Sequence, residues 1–258
     1  YIPSSFCSIA TYNCHFELIG LLLSLSIYHP DERIYLMVDT KTKNAIDNLT
    51  PKPKLNMYFF IELDEYDGMN RAIMEKTGVF GKFLINKMKI MKYALKECKD
   101  TLFLDSDIII TNKINDIINE KNIGLSPQYI KKEFIDKTGY YNAGLIWTNL
   151  ISVCDDWIDI IEHTNHCPEQ INMIKLEKYS FFKFNENYNL QPWRMLLSDE
   201  SQESIKSYIT SNIKDGILYK NKPLKFIHTH FHDSRFQDFN KTIINHLVKI
   251  KHYKLLLI

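Results

Sequence analysis

The first half of the chain alternates short, continuous apolar runs with longer stretches of helical period. Phe6-Cys7-Ser8-Ile9-Ala10 reads as a strand, and apolar residues at helical spacing run from about Phe16 to Tyr28. Pro30 then stops that helix. Ile34-Tyr35-Leu36-Met37-Val38 is apolar without alternation and ends at Asp39, the pattern of a strand covered on both faces. A short helix around Asn44 to Leu49 and an aromatic strand from Met57 to Ile61 follow. Between Lys82 and Lys96, Phe83, Leu84, Met88, Met91 and Leu95 share one side with lysines between them, which predicts an amphipathic helix. Thr101-Leu102-Phe103-Leu104-Asp105 is another strand of the buried type. This β-α-β-α-β rhythm predicts an α/β fold with a mixed, mostly parallel sheet flanked by helices. Ligands of such sheets lie beyond the carboxyl ends of the strands, where Asp39 and Asp105 sit.

The second half is less regular. The pattern predicts a strand at Tyr141 to Trp147, helices near Ile151 to Ile161 and Glu169 to Lys178, and a strand at Leu224 to Ile227. A closing helix is expected from about Thr242 to Tyr253, packed on the core; its alternating lysines and isoleucines would also suit a membrane surface. No repeat, low-complexity tract or Gly/Ser linker divides the chain, so residues 1–258 are read as one domain. With 45% apolar residues, the chain is long enough for a large single core.

Charge narrows the partners. The 32 basic and 31 acidic side chains leave a net charge of +1, which does not fit a nucleic-acid partner. Cys7, Cys14, Cys98, Cys154 and Cys167 are scattered without a C-x-x-C pair, so they are read as reduced thiols in a reducing compartment. The most apolar run, Leu18 to Ile27, falls short of the about 20 residues a bilayer span needs. The expected location is cytoplasmic, or the catalytic domain of a membrane-anchored enzyme if the chain's start lies upstream of Tyr1.

Two clusters carry candidate chemistry. Asp105-Ser106-Asp107 lies between apolar flanks, and in extended chain residues i and i+2 point the same way. Two ionised carboxylates in a poorly hydrated place repel unless a cation sits between them, and oxygen ligands suit Mn2+ or Mg2+. The plain alternative is a strand-end turn with two solvated aspartates. Near the end, Lys225-Phe226-Ile227-His228-Thr229-His230-Phe231-His232-Asp233 holds three imidazoles, which alternation would set on one side. Neutral imidazole is a metal ligand; the plain alternative is a set of surface histidines at a strand exit. This cluster is also similar to that of zinc hydrolases of the metallo-β-lactamase type, but here Asp233 follows the last histidine and only His246 and His252 remain downstream.

In order along the chain, these segments resemble the GT-A glycosyltransferases, a Rossmann-like fold, and especially their family eight with its glycogenin and bacterial galactosyltransferase members. Ser8-Ile9-Ala10-Thr11-Tyr12-Asn13 is similar to the segment holding uracil and ribose, which implies donor contacts for Ala10, Thr11, Tyr12 and Asn13, with Asp39 beside them. Asn86-Lys87-Met88-Lys89 resembles the helix whose basic residue reaches the donor, best matched by Lys87, with Lys89 as alternative. Asp105-Ser106-Asp107 resembles the family's DXD motif, and Lys225-Phe226-Ile227-His228 the strand whose closing histidine completes the metal site. Tyr140-Tyr141-Asn142-Ala143-Gly144-Leu145 resembles the Asn-Ala-Gly strand lining sugar and acceptor, Glu169-Gln170 the Asp-Gln pair, and Asn187-Tyr188-Asn189 a later Tyr-Asn segment.

The resemblance implies metal ligands Asp105, Asp107 and His228, with His230 next, and donor contacts by Lys87 and Ser106. It implies catalytic or orienting roles for Asn142, Glu169 and Gln170. It also implies a nucleotide-binding half at 1–150 and an acceptor-side half at 151–258. The expected activity is metal-dependent, retaining transfer of a hexose from a nucleotide sugar, UDP-glucose or UDP-galactose, to a glycan, lipid or protein acceptor. The sequence departs from the family where a Gly and a Lys-Pro-Trp run that grips the diphosphate should follow the histidine; Arg235, a few residues on, is the candidate phosphate contact in its place. A sugar-nucleotide-binding protein with weak catalysis and a nucleotidyltransferase are the alternative readings.

Overall fold

The computed structural model describes residues 1–118, 120–163, 168–231 and 233–252, apart from the side chains of Pro168 and Glu169. Strand β1 (Ser5–Ala10) leads into α1 (His15–Tyr28), β2 (Arg33–Val38), α2 (Thr40–Asp47) and β3 (Asn56–Ile61). Helices α3 (Arg71–Thr77) and α4 (Phe80–Glu97) precede β4 (Thr101–Leu104), β5 (Ile108–Ile110) and β6 (Ile123–Pro127). Then come α5 (Lys132–Thr138), β7 (Tyr141–Thr148), α6 (Ile151–Glu162), α7 (Pro168–Ile171) and β8 (Phe181–Lys183). The chain continues through α8 (Trp193–Leu197), α9 (Gln202–Ser207), β9 (Ile209–Asn212), β10 (Gly216–Tyr219), β11 (Lys222–Pro223), β12 (Phe226–His228) and α10 (Gln237–Lys249).

The central sheet has seven strands in the order β3-β2-β1-β4-β7-β6-β8. Strands β3, β2, β1 and β4 run parallel, β7 runs antiparallel to both β4 and β6, and β8 is parallel to β6. The expected mixed, mostly parallel sheet flanked by helices is therefore the observed one. On one face α4 and α6 bury Met88, Met91 and Trp157; on the other α1 buries Leu18, Leu21 and Leu22. Each such side chain contributes about 1.5–3 kcal/mol of hydrophobic stabilisation. A third cluster ties the small sheet β9–β11 to α10 through Ile209, Ile217, Phe239, Ile243 and Leu247, so the closing helix packs on the core as expected.

Two topological features build the site. Because β7 is antiparallel to β4 with Leu104 opposite Leu145, the start of β7 lies beside the end of β4. The Asp105 N–H donates to the Gly144 carbonyl at 2.9 Å. The β5–β12 ribbon pairs His228 with Ile108, which brings the late histidine to the acidic turn.

Some elements differ from the sequence expectation. The helix expected over Glu169 to Lys178 divides into α7 and a 3-10 stretch, Met173–Lys178. Strand β6, Ile-Gly-Leu-Ser-Pro, carries turn residues yet is fully buried; a Cβ at Gly124 would run into the Phe182 ring. Helix α2 begins earlier than its apolar residues signal, because the Asp39 carboxylate accepts the Thr42 N–H at 2.7 Å and caps it. Cys7, Cys14, Cys98 and Cys154 are free thiols, and Cys167 lies outside the described residues. Among the described residues no helix is long and apolar enough to cross a membrane.

Candidate metal centre and donor cleft

Asp105-Ser106-Asp107 is a turn closed by the Ile108 N–H on the Asp105 carbonyl at 3.2 Å, not extended chain. The carboxylates converge for that reason, which corrects the strand-alternation argument while keeping its outcome. One oxygen from each carboxylate and one His228 nitrogen lie within 4.8 Å of one another. The His228 Nε2 is 3.4 Å from Asp107 Oδ1 and 3.9 Å from Asp105 Oδ2.

The buried His228 ring is oriented from behind. Its Nδ1 lies 3.0 Å from Asn189 Oδ1, while the Asn189 amide nitrogen is 3.1 Å from both Ser126 Oγ and Asn142 Oδ1. An amide oxygen only accepts, so Nδ1 carries the proton and the Nε2 lone pair faces the carboxylates. Burial opposes charge on His228, but the Asp107 and Asp105 carboxylates outweigh it and raise its pKa. Burial likewise opposes ionisation of Asp105, yet Lys87 and His228 hold its carboxyl well below the usual range. The Lys87 Nζ sits 2.8 Å from Asp105 Oδ1 in a nearly water-free position.

The donor set fits a hard divalent cation. Gly144 supports that fit: a Cβ there would overlap Asp105 Oδ2 and lie 2.8 Å from His228 Cε1. A side chain at residue 144 would occupy the space between Asp105 and His228.

Two compartments meet at this centre. A cleft of about 620 Å3 is lined by Ala10, Thr11, Lys87, Ser106, Asp107 and Asp233, among others. A smaller compartment of about 280 Å3 holds Asn142, Gly144, Gln170, Trp193, Leu197 and His228. Asp105, Lys87, His230 and Arg71 line both. Gln170 is fixed there: its Nε2 donates to the Thr138 carbonyl at 2.7 Å, and its Oε1 accepts the Ala143 N–H at 3.2 Å and the Asn142 amide at 3.5 Å.

Other expected residues sit differently. Tyr12 is stacked on His15 (4.2 Å between centroids) and Asn13 donates to the Met69 carbonyl, and neither lines either compartment. Asp39 is buried, accepting the Tyr12 N–H at 2.6 Å besides capping α2, so it shapes the loop after β1. His230 leaves the strand with φ +40° and places Nδ1 3.3 Å from Asp107 Oδ2, beside the Asp105–Asp107–His228 trio and outside it; burial lowers its pKa. Arg235 is clamped to Asp233 (2.6 and 3.0 Å) with its guanidinium 4.9 Å over the Trp193 ring, and it lines neither compartment. Lys89 is exposed, so Lys87 is the inward lysine of α4. The Glu169 side chain and His232 lie outside the described residues.

Arg71, Trp193 and Asn189's contact with His228 are additions from the structure. Arg71 opens α3, whose Asn70 cap and left-handed Gly78 stop were the available sequence signals.

No family model matches the sequence, and no curated protein matches it. Solved structures do match in shape. The galactosyltransferase LgtC in complex with donor and acceptor sugar analogues superposes with a TM-score of 0.58 at 15% identity, over 97% of this chain and 99% of that one. An LgtC structure with an active-site glutamine changed to glutamate gives 0.56 at 14% identity, over 93% and 95%. The glycosyltransferase GlyE of Streptococcus pneumoniae gives 0.60 at 12% identity, over 98% of this chain and 63% of GlyE.

The fold is that of the GT-A glycosyltransferases. At these identities the likeness concerns architecture, and the GT-A sheet here places the Asp-Asp-His trio at the carboxyl end of β4. That is where an α/β sheet presents its ligand site.

Proposed function

We propose that the protein is a divalent-metal-dependent glycosyltransferase that moves a hexose from a nucleoside-diphosphate sugar, UDP-glucose or UDP-galactose, to a glycan, lipid or protein acceptor with retention. The observation that carries this reading is the position of Asp105, Asp107 and His228 at the junction of a larger and a smaller compartment. The larger matches a nucleoside diphosphate in scale, and the smaller is open to a sugar and its acceptor. The galactosyltransferase LgtC, with donor and acceptor analogues bound, lends the fold-level support.

Asp105, Asp107 and His228 would hold Mn2+ or Mg2+, which would supply positive charge to the departing diphosphate. Lys87 keeps Asp105 ionised and adds its own charge to the cleft wall. Arg71, rather than Arg235, is the further cation at the boundary of the compartments. Gln170 and Asn142 present neutral amides to the smaller compartment and orient sugar hydroxyls. The usual nucleophile of a covalent glycosyl-enzyme is a carboxylate. Among the described lining residues of that compartment the carboxylate present is Asp105, already held by Lys87. In this proposal retention comes from attack on the face the diphosphate leaves.

Asp107→Asn tests the reading. Turnover of UDP-hexose with Mn2+ should fall at least about 100-fold while the melting temperature without metal stays within a few degrees. Full turnover in a chelator, by wild type or variant, would overturn it.

A further inference from the structure

The two ends of the central sheet are built differently. Strand β8 has three residues and includes Lys183, the short and charged sort of edge that resists pairing. Strand β3 runs six residues, Asn56-Met57-Tyr58-Phe59-Phe60-Ile61, with no charge, proline or register break. Tyr58 and Ile61 are exposed by 39% and 43%. Just past β3 the Glu62 N–H bonds the Val38 carbonyl at 3.2 Å, and Val38 is opposite Ile61 in the register. Peptide groups alternate sides along a strand, so even-numbered residues of β3 face β2 and the odd-numbered Met57, Phe59 and Ile61 face outward.

The flanks of β3 carry opposite charge. Lys52 and Lys54 precede it, Glu62 and Glu65 follow it, and all four are exposed. An antiparallel second copy would bring its acidic end to this chain's basic end, and the reverse, under one two-fold axis. That arrangement is self-complementary, as an isologous interface requires; a parallel copy would set like charges side by side.

We propose that β3 is the seam of a homodimer, two copies pairing antiparallel about an axis at Tyr58 to continue the sheet across the molecules. In this register Met57 exchanges main-chain hydrogen bonds with the partner's Phe59, and Lys54 lies opposite the partner's Glu62. Tyr58 meets its own symmetry mate in a non-hydrogen-bonded pair, where Cα atoms approach to about 4.5 Å. The inference is independent of the proposed reaction.

Sedimentation equilibrium on the whole chain should give twice 30.6 kDa. Lys54→Glu and Glu62→Lys should each weaken the dimer by roughly tenfold or more, and the double variant should restore it. Tyr58→Cys should cross-link, two thiols giving one intermolecular disulfide while oxidised glutathione is reduced to two thiols; Tyr58→Ser under the same conditions should not. The geometry permits that bond, because disulfides span Cα separations of about 4.4–6.8 Å. A monomer at every concentration would overturn the proposal. A dimer that ignores both charge reversals and leaves Tyr58→Cys unlinked would overturn it equally.

Discussion

Asp105 and His228 approach each other across the Cα of Gly144, where any side chain would fill the space their ligand atoms share. Gly144→Ala should therefore push the carboxylate or the imidazole out of register. The expected result is a roughly 10–100-fold loss of Mn2+ affinity by titration, with about 1–3 kcal/mol lost in unfolding experiments. Unchanged Mn2+ binding would remove Gly144 from this account. At this scale the sequence told a good deal. Asp105, Asp107 and the late histidine cluster were legible as a candidate cation site from residue type, apolar flanks and position, and the structure brings Asp105, Asp107 and His228 together. Arg235 was not: its charge is absorbed by Asp233 two residues away, and its ring contact is with Trp193 far along the chain. Asp39 was ambiguous for a related reason, since a strand-end carboxylate can serve a ligand or a helix cap, and here backbone N–H groups occupy both of its oxygens.

Between residue and fold stands α8, one short helix that faces two ways. Trp193 looks into the smaller compartment, while the next residue, Arg194, is buried. Its guanidinium donates to the Glu186 carbonyl at 3.0 Å and the Asn189 carbonyl at 2.8 Å, and it lies 4.5 Å from the Tyr129 ring. Arg194 thus pins the loop from which Asn189 orients His228. Arg194→Met fills a similar volume but leaves both carbonyls without their donor. Stability should drop by about 2–3 kcal/mol in urea, and Mn2+ affinity should fall with it, because His228 loses its fixed tautomer and angle. Loss of stability with metal affinity intact would confine Arg194 to packing. Nothing in the sequence around Trp193 announced this helix: five residues are too few to show a period. Long elements such as α4 and β2 were legible because burial imposes a repeating pattern on them, whereas β6 and α8 are specified by partners distant in sequence. The β9–β11 sheet, though its strands pair locally, has strands of two to four residues that are too short to show a period.

For the molecule as a whole, His29 supplies a pH dependence that is independent of the site. It sits in the core against Phe6, where its Nε2 accepts the Ile114 N–H at 3.0 Å. Burial, reinforced by the Lys113 and Lys225 charges, lowers its pKa to about 4. Above about pH 6.5 the ring is neutral whether the chain is folded or not, and it makes no pH-dependent contribution. Below that value the unfolded chain takes up a proton that the folded ring refuses, so stability declines until the folded ring also titrates near pH 4. From about pH 7 to about pH 5 the loss from this group amounts to about 2 kcal/mol. The lowered pKa values of the partly buried His246 and His252 act in the same direction, and the raised pKa of His228 acts in the opposite one. Wild type and His29→Gln share those three groups, so their difference isolates His29, and glutamine still offers an oxygen to Ile114. The variant should be less stable at about pH 7 by the loss of ring packing, yet its urea midpoint should fall less on acidification than the wild type's. Parallel acid limbs for the two proteins would show that the core tolerates an imidazolium at this position.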